Sequence, residues 1–383
     1  MATPRPGPGL PCVAPSAVTT PAASAPVRYG RAPMTALSPR DRTQARALRP
    51  FLRLPRVVAA AVSRAAPVVV DGQRLSDATR LALGLQKITP GAPEAMRAPV
   101  DRARRDYRRL IEIMEEPAPQ LPKVEDRLIP GVGGPISVRV YWPTLAEPSL
   151  PITVYYHGGG YVLGDLETHD ALCRRVCRRA GCIVVAVDYR LAPENPFPAA
   201  VDDALAAFLW VVQRAERLGG DPRRVAVAGD SAGAALATVV CHLARDRELP
   251  RPHVQALFYP CVDSLAETRS RELFATGYGL DAEAIAWSLG QYLRPAEADD
   301  PRASPLRWPR HDDLPPLILR TAGFDPLRDE AEAYAEVLAA AGVHVDLHRH
   351  TSLTHGFVQM SFDPVARAAV DELCDRLSSA FAW

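Results

Sequence analysis

Short apolar segments alternate with longer amphipathic segments through most of this 383-residue chain. The apolar segments are rich in β-branched residues, as in 182–187 (Cys-Ile-Val-Val-Ala-Val), and suit strands that are buried on both faces. The amphipathic segments place apolar residues three and four positions apart, which indicates helices. Repeated strand–helix units predict an α/β fold with a mostly parallel central sheet and helices on both of its faces.

The pattern predicts about eight strands in residues 119–383, which we assign to one α/β domain. The predicted strands are 123–129, 136–142, 152–157, 183–189, 224–229, 254–260, 316–322 and 345–350. The predicted helices that connect or follow them are 168–180, 199–218, 232–246, 327–341 and 364–380. The glycine-rich turn 131–134 separates the first two strands, which form the opening pair of the sheet.

Two helical patterns precede the first strand. Apolar residues at helical spacing form one pattern that begins at Leu75 and a second that runs from Ala103 to Met114. Since both lie before the sheet begins, we interpret residues 66–118 as an N-terminal helical cap. The long segment between strands 254–260 and 316–322 contains one further helical pattern, and we expect residues 261–300 to contribute to the same cap.

Charge is distributed unevenly along the chain. The net charge is +1, but residues 1–65 contain ten arginines and a single acidic residue, so they carry +9 and the remainder carries −8. An acidic main body argues against a nucleic acid partner. Residues 1–65 are rich in Pro, Ala and Arg without apolar periodicity, which predicts a disordered or extended basic segment. Peripheral contact of this segment with an anionic membrane is the alternative to a solvated tail.

The cysteines and the hydropathy point to a reduced, aqueous setting. The seven cysteines are scattered, and Cys173, Cys177 and Cys182 lack the spacing of zinc ligands. We predict no metal site and no cofactor, and a buried helix face for Cys173 and Cys177. No apolar run is long enough to span a bilayer, and no signal peptide is evident. The expected location is the cytoplasm, and a homodimer is left open.

Two glycine-rich motifs follow predicted strands and make chemical sense together. His157-Gly158-Gly159-Gly160 follows strand 152–157, and Gly229-Asp230-Ser231-Ala232-Gly233 follows strand 224–229. The second fits the G-x-S-x-G elbow, a strand-to-helix turn that exposes a serine nucleophile, and the first fits the oxyanion loop that accompanies such elbows. We predict Ser231 as the nucleophile and the backbone N–H groups of Gly158, Gly159 and Ala232 as oxyanion donors.

A serine nucleophile needs a base, and the base needs an orienting acid. Elbow enzymes supply them in the chain order Ser, acid, His. Asp325 is the first carboxylate after strand 316–322, although Asp followed by Pro is also a good start of a helix. His355 follows the last strand, whereas His344 precedes it and is at the wrong end of the sheet. His348 and His350 share a strand face with Asp346, which we interpret as a polar outer face.

These motifs resemble the bacterial hormone-sensitive-lipase family of esterases within the α/β-hydrolases. The matching segments are His157–Tyr161, Asp188–Glu194, Gly229–Gly233, Asp325–Glu330 and His355–Phe357, and the segment Gly164–Cys173 is similar to actinobacterial members. The resemblance implies an α/β-hydrolase catalytic domain at 119–383, a capped acyl pocket, and Ser231, Asp325 and His355 as the triad. We expect the other motif residues to support the site; they are His157, Gly160, Tyr161, Asp230, Tyr189 and Glu194.

The resulting functional expectation is a cofactor-free serine hydrolase that cleaves short- to medium-chain acyl esters through an acyl-enzyme. The substrate is then a small-molecule ester or a lipid. Alternatives within the enzymes are a true lipase on longer-chain glycerides and an amidase or deacetylase, which the same triad would serve. A ligand-binding receptor on the same fold is disfavoured because His355 is present.

Overall fold

Residues 67–88 and 99–382 are described in the structure, a computed structural model. The strands are β1 (Val69–Val70), β2 (Gln73–Arg74), β3 (Lys123–Ile129), β4 (Ile136–Trp142), β5 (Leu150–Tyr156), β6 (Ile183–Asp188), β7 (Gly220–Asp230), β8 (Gln255–Phe258), β9 (Leu317–Phe324) and β10 (Val345–Thr354). The α-helices are α1 (Asp77–Ile88), α2 (Val100–Met114), α3 (Asp170–Ala180), α4 (Ala199–Leu218), α5 (Ala232–Asp246), α6 (Arg269–Leu273), α7 (Ala282–Tyr292), α8 (Arg328–Ala340) and α9 (Pro364–Ala380).

An eight-stranded sheet organises the described residues, in the order β10-β9-β8-β7-β5-β6-β4-β3. All neighbours from β10 to β6 are parallel, and β4 pairs antiparallel with both β6 and β3. The predicted α/β-hydrolase fold with a mostly parallel sheet of about eight strands is confirmed. The predicted basic segment 1–65 lies outside the described residues.

Helices cover both faces of the sheet, as the continuous apolar strands require. Along β6, Val185 and Val187 belong to one buried cluster and Val184 and Ala186 to another, because successive side chains point to opposite faces. The first cluster includes side chains of α4 and α5, and the second includes side chains of α3 and α9. Cys173 and Cys177 are fully buried in the second cluster, as the sequence predicts.

Two strands extend further than their sequences indicate. Strand β7 begins at Gly220 because Leu150 of β5 pairs with it across an irregularity in the ladder. Strand β10 continues through the polar segment 351–354, since Thr354 pairs with Phe324 after a register shift. Backbone pairing with a neighbour therefore outweighs local polarity at both strand ends.

None of the described helices combines the length and apolarity needed to cross a bilayer.

The carboxyl ends of four parallel strands bring the sequence motifs together. Strand β5 ends one residue before His157, β7 one residue before Ser231, β9 one residue before Asp325 and β10 one residue before His355. Because β5 and β7 to β10 are parallel, these ends share one edge of the sheet. Residues that are far apart in sequence therefore converge in one place, as parallel α/β sheets commonly arrange their binding sites.

Candidate active site

Ser231 occupies a strained turn between β7 and α5. Its backbone has φ 53° and ψ −122°, a conformation that is unfavourable for a residue with a Cβ and that exposes the side chain at the turn. The flanking glycine at 233 is required for close approach, because a Cβ there would lie 2.0 Å from the Tyr156 carbonyl oxygen. The turn is anchored by the Ser231 N–H, which donates to the Phe258 carbonyl at 2.9 Å.

Ser231, His355 and Asp325 form a hydrogen-bonded line. The distance from His355 Nε2 to Ser231 Oγ is 2.9 Å, and the distance from His355 Nδ1 to Asp325 Oδ2 is 2.8 Å. The Asp325 side chain is fully buried and that of His355 is 11% exposed. With the proton on Nδ1 donated to the carboxylate, Nε2 is free to accept the proton of the serine hydroxyl.

The two oxygens of Asp325 make different contacts, and neither caps the helix, because α8 begins at Arg328 with Leu327 as its N-cap residue. Its Oδ2 faces His355, while its Oδ1 accepts the N–H of Leu327 at 2.8 Å, two residues on and directly before α8. The Asp-Pro sequence therefore shapes the turn into α8, and that turn holds the second oxygen toward the imidazole. One oxygen of the carboxylate therefore serves the turn before α8, and the other faces the histidine.

One of the predicted oxyanion donors, the Gly158 N–H, makes a hydrogen bond within the protein. The Gly158 N–H donates to Asp230 Oδ1 at 3.0 Å, so it is engaged by the protein rather than directed at a substrate. Gly159 has φ 125° and Gly160 has φ 61°, positive values that glycine adopts readily, so the chain leaves the direction of β5 here. Among the described residues, the N–H groups of Gly159 and Gly160 have no hydrogen-bond partner.

Asp230 holds the glycine loop against the elbow. Besides the Gly158 N–H, its Oδ1 accepts the Tyr155 hydroxyl at 2.9 Å, and His169 Nε2 lies 3.3 Å away. Burial alone would raise the pKa of Asp230, but His169 and the Tyr155 hydroxyl outweigh burial and lower that pKa. Asp230 therefore acts as an anionic anchor of the loop and is not positioned to replace Asp325.

The other predicted supporting residues pack around the same loop. The Tyr189 hydroxyl donates to the His157 carbonyl at 2.7 Å, and the two rings stack with centroids 4.3 Å apart. Tyr161, with φ 63°, stacks on Tyr292 of α7 at a centroid distance of 3.9 Å. Glu194 pairs with Arg104 of α2 through two hydrogen bonds of 2.8 Å. These contacts brace the loop and leave the triad to Ser231, Asp325 and His355.

Arg104 is a functional contact that the sequence did not reveal. Its Nε donates to the Val162 carbonyl at 2.9 Å and its Nη2 to the Ala192 carbonyl at 2.9 Å, so it ties α2 to the glycine loop. Arg108, one helical turn later, pairs with Asp165 beyond that loop. On sequence alone, arginines four apart on a helix indicate a solvated face. The sequence does not indicate these ion pairs, because the partners lie more than fifty residues away.

We expect acid to destabilise the fold partly through His157. Burial, reinforced by His169, lowers the pKa of His157 to about 4. A histidine in the unfolded chain titrates near 6.5. Between about pH 6.5 and about pH 4 the unfolded chain therefore binds a proton that the folded chain does not, and the free energy of unfolding decreases as the pH is lowered. This difference amounts to about 2 kcal/mol between pH 7.5 and pH 5. Urea unfolding at both pH values measures it.

The control for this prediction is a pair of variants. His157→Asn is expected to lose less stability on acidification than the parent, whereas the exposed His344→Asn is expected to match the parent. Equal pH dependence in parent and His157→Asn would show that the burial of His157 does not set the acid response.

Fold and site together have the form of a serine hydrolase: an elbow serine, a histidine and a carboxylate in chain order at the carboxyl edge of a parallel sheet. Comparison with known proteins identifies the family of the chain. Residues 153–359 match the family described as alpha/beta hydrolase fold. The chain belongs to this family, in its hormone-sensitive-lipase branch, and is an ester-hydrolysing enzyme.

Characterised relatives cover most of the chain. The carboxylic ester hydrolase LipN of Mycobacterium tuberculosis is 46% identical over 301 residues, which are 76% of this chain and 79% of that protein. The ethyl acetate hydrolase of Pseudomonas putida is 40% identical over 265 residues, or 68% of this chain and 83% of that protein. The hyperthermophilic esterase of the archaeon Pyrobaculum calidifontis superposes with a TM-score of 0.74 at 40% identity, covering 80% of this chain and 98% of that structure.

Proposed function

We propose that the enzyme cleaves esters in two steps through an acyl group on Ser231. His355 Nε2 accepts the hydroxyl proton as Oγ attacks the ester carbonyl carbon, and it then protonates the departing alcohol. Water then gives a proton to the same nitrogen as its oxygen attacks the acyl carbon. The bond between Oγ and the acyl carbon breaks, the acid leaves, and His355 returns the proton to Oγ. The observation that supports this assignment is the continuous line of hydrogen bonds from Ser231 through His355 to Asp325, with distances of 2.9 and 2.8 Å.

We assign the oxyanion donors to the N–H groups of Gly159, Gly160 and Ala232. Ala232 begins α5, so its N–H has no partner within the helix. The N–H groups of Gly159 and Gly160 are without a partner among the described residues, whereas that of Gly158 serves Asp230. Negative charge that develops on the carbonyl oxygen needs such donors in place beforehand.

A covalent phosphonate adduct tests the donor assignment. A phosphonate on Ser231 carries an oxygen where the oxyanion of an ester would be. In a crystal structure of the adduct we expect this oxygen within about 2.7–3.1 Å of the N–H groups of Gly159, Gly160 and Ala232. Contact with the Gly158 N–H instead, accompanied by rupture of its bond to Asp230, would return the donor role to Gly158.

We propose short- to medium-chain acyl esters as the substrates and residues of α2 and α7 as the cap. Helix α7 lies directly over the glycine loop, because a Cβ on Gly160 would be 2.6 Å from the Ser288 hydroxyl. Helix α2 is tied to the same loop by Arg104. Helix α1 packs Leu83 with Phe274 and Phe324 beside the triad acid. Elements this close to the loop favour a limited acyl pocket, in keeping with one relative named for ethyl acetate.

A series of p-nitrophenyl esters from acetate to palmitate tests the substrate class. We expect kcat/KM to be greatest among the soluble esters of about two to ten acyl carbons and to fall by at least tenfold for palmitate. Emulsified triglyceride and an acyl anilide serve as the lipase and amidase comparisons. Preference for emulsified long chains, or for the anilide, would assign the enzyme to the corresponding alternative.

For partners and location we propose a cytoplasmic enzyme whose basic segment 1–65 contacts anionic membranes peripherally. The +9 charge of that segment supports the membrane contact. Co-sedimentation of the full chain with phosphatidylserine vesicles, lost in high salt and with neutral vesicles, tests it. Light scattering coupled to gel filtration measures whether the chain forms a homodimer, and cell fractionation tests the location.

A further inference from the structure

A histidine-rich face lies at the edge of the sheet, away from the triad. Asp346, His348 and His350 alternate along β10 and therefore point to the same face. The face is polar and partly exposed, in keeping with the sequence interpretation, and polar residues of α9 lie against it. Arg376 of α9 lies 3.3 Å from Asp346, and Glu372 of α9 lies against both histidines.

His348, His350 and Glu372 converge on one point. His348 Nδ1 lies 2.8 and 3.0 Å from the two carboxylate oxygens of Glu372, and His350 Nε2 lies 3.7 Å from Glu372 Oε2. One nitrogen or oxygen from each of the three side chains lies within 4.8 Å of the others. Two imidazoles and a carboxylate are thus gathered between an edge strand and the C-terminal helix.

His350 supplies an independent observation. Its side chain is only 10% exposed, and its buried Nε2 has no hydrogen-bond partner among the described residues. Buried polar atoms in folded proteins are almost always paired, so an unpaired ring nitrogen aimed at a carboxylate requires an explanation. A distance of 3.7 Å to Glu372 is too long for a hydrogen bond but leaves room for an ion between the two atoms after small side-chain rotations.

We propose that His348, His350 and Glu372 form a binding site for one divalent transition metal ion, with Zn²⁺ as the best match. Imidazole nitrogen with one carboxylate oxygen suits Zn²⁺, Co²⁺ or Ni²⁺, whereas Ca²⁺ and Mg²⁺ require several oxygen ligands. His348 is 52% exposed, so its ring is free to turn and exchange its bond to Glu372 for a bond to the metal. A water completes a tetrahedral set.

The surrounding charges permit a cation. Glu372 and Asp346 supply two negative charges, and Arg320 and Arg376 supply two positive charges. Arg320 is fully buried and its Nε lies 3.2 Å from Glu372 Oε1, the oxygen farther from His350. The hydrogen bonds of Arg320 go to Asp346 and to the Leu319 carbonyl, so its contact with Glu372 is an ion pair only. The oxygen of Glu372 that faces His350 is Oε2.

Binding at this site would join the edge strand to α9. Strand β10 ends one residue before His355, and the His350 ring packs edge-on against Phe357 with centroids 5.6 Å apart. An ion held by both elements stabilises the folded chain, because the unfolded chain does not assemble the three ligands. The metal has no part in ester hydrolysis, and the site stands independently of the triad assignment.

Zinc titration of the full-length protein without an affinity tag tests the proposal. Isothermal titration calorimetry is expected to show one Zn²⁺ per chain, and saturating Zn²⁺ is expected to raise Tm. His348→Ala and Glu372→Gln should each weaken binding at least tenfold and remove the Tm rise. His344→Ala removes an exposed imidazole directly before the same strand and should bind Zn²⁺ like the parent.

Two further measurements separate this site from adventitious binding. Co²⁺ should give a visible absorption band in the parent and in His344→Ala but not in His348→Ala. Ester hydrolysis in the presence of EDTA should be the same in His348→Ala as in the parent, which shows that the variant is folded. Absence of Zn²⁺ binding, or binding that His348→Ala and Glu372→Gln leave unchanged, would overturn the proposal.

Discussion

Ser231→Ala is expected to lower kcat for p-nitrophenyl butyrate by roughly 10⁴- to 10⁶-fold while the protein remains folded. The substitution removes the atom that forms the acyl-enzyme, and the histidine and the acid then have nothing to activate. The residual rate reflects binding and the backbone donors, which are still present without the nucleophile. Steady-state hydrolysis of the butyrate ester, with circular dichroism and Tm as measures of folding, checks the prediction.

Covalent labelling provides the control for Ser231. A fluorophosphonate should label the parent at one site per chain, and mass spectrometry should place the label on the peptide that contains Ser231. Ser231→Ala should not be labelled. Activity of the variant above a tenth of the parent value, in a preparation free of contaminating esterase, would show that the nucleophile is another residue.

Asp325→Asn is expected to lower kcat by about 10⁴-fold with little loss of stability. The amide retains an oxygen that accepts the Leu327 N–H, so the turn into α8 survives. It replaces the charged acceptor that faces His355 Nδ1 at 2.8 Å, so the imidazole loses its orientation and its charge partner. Kinetics and urea unfolding of the same preparation measure the two effects separately.

A second Asp-Pro pair in the chain provides a matched control. Asp363 precedes Pro364 at the start of α9, and its Oδ1 accepts the N–H two residues on, at 2.8 Å, as in Asp325. Asp363→Asn should leave kcat within about twofold of the parent. Asp325→Ala, which removes both oxygens, should lose stability as well as activity. If Asp325→Asn kept its kcat and Asp325→Ala lost only stability, Asp325 would be a helix-start residue and another carboxylate would serve His355.

Much of the fold could be predicted because it depends on local patterns of apolar and polar residues. Strands buried on both faces are continuous apolar runs, and helices between them show their own spacing, so the strand order along the chain and the α/β class follow without tertiary information. The predicted site depended on the same regularity. Each of His157, Ser231, Asp325 and His355 comes one residue after a strand, and parallel strands place such positions at a common edge.

Other features could not be predicted because they depend on pairs of groups far apart in sequence. Which glycine N–H is available depends on the Asp230 carboxylate, 72 residues beyond Gly158. The link between α2 and the glycine loop depends on Arg104 reaching Glu194, 90 residues away. An acidic residue or an arginine looks the same in the sequence whether its side chain faces water or a distant partner. The periodicity of the sequence therefore does not reveal such contacts.

The sequence by itself determined the class of fold, the succession of strands along the chain and the identity of the nucleophile, acid and base candidates. These follow from apolar periodicity and from glycine-flanked motifs, which are properties of neighbouring residues. The tertiary structure decided that the Gly158 N–H is bonded to Asp230, that Asp325 offers one oxygen to a turn and the other to a histidine, and that His348, His350 and Glu372 meet under α9. These depend on the packing of distant elements at ångström precision, because hydrogen bonds and metal ligation are decided at that scale.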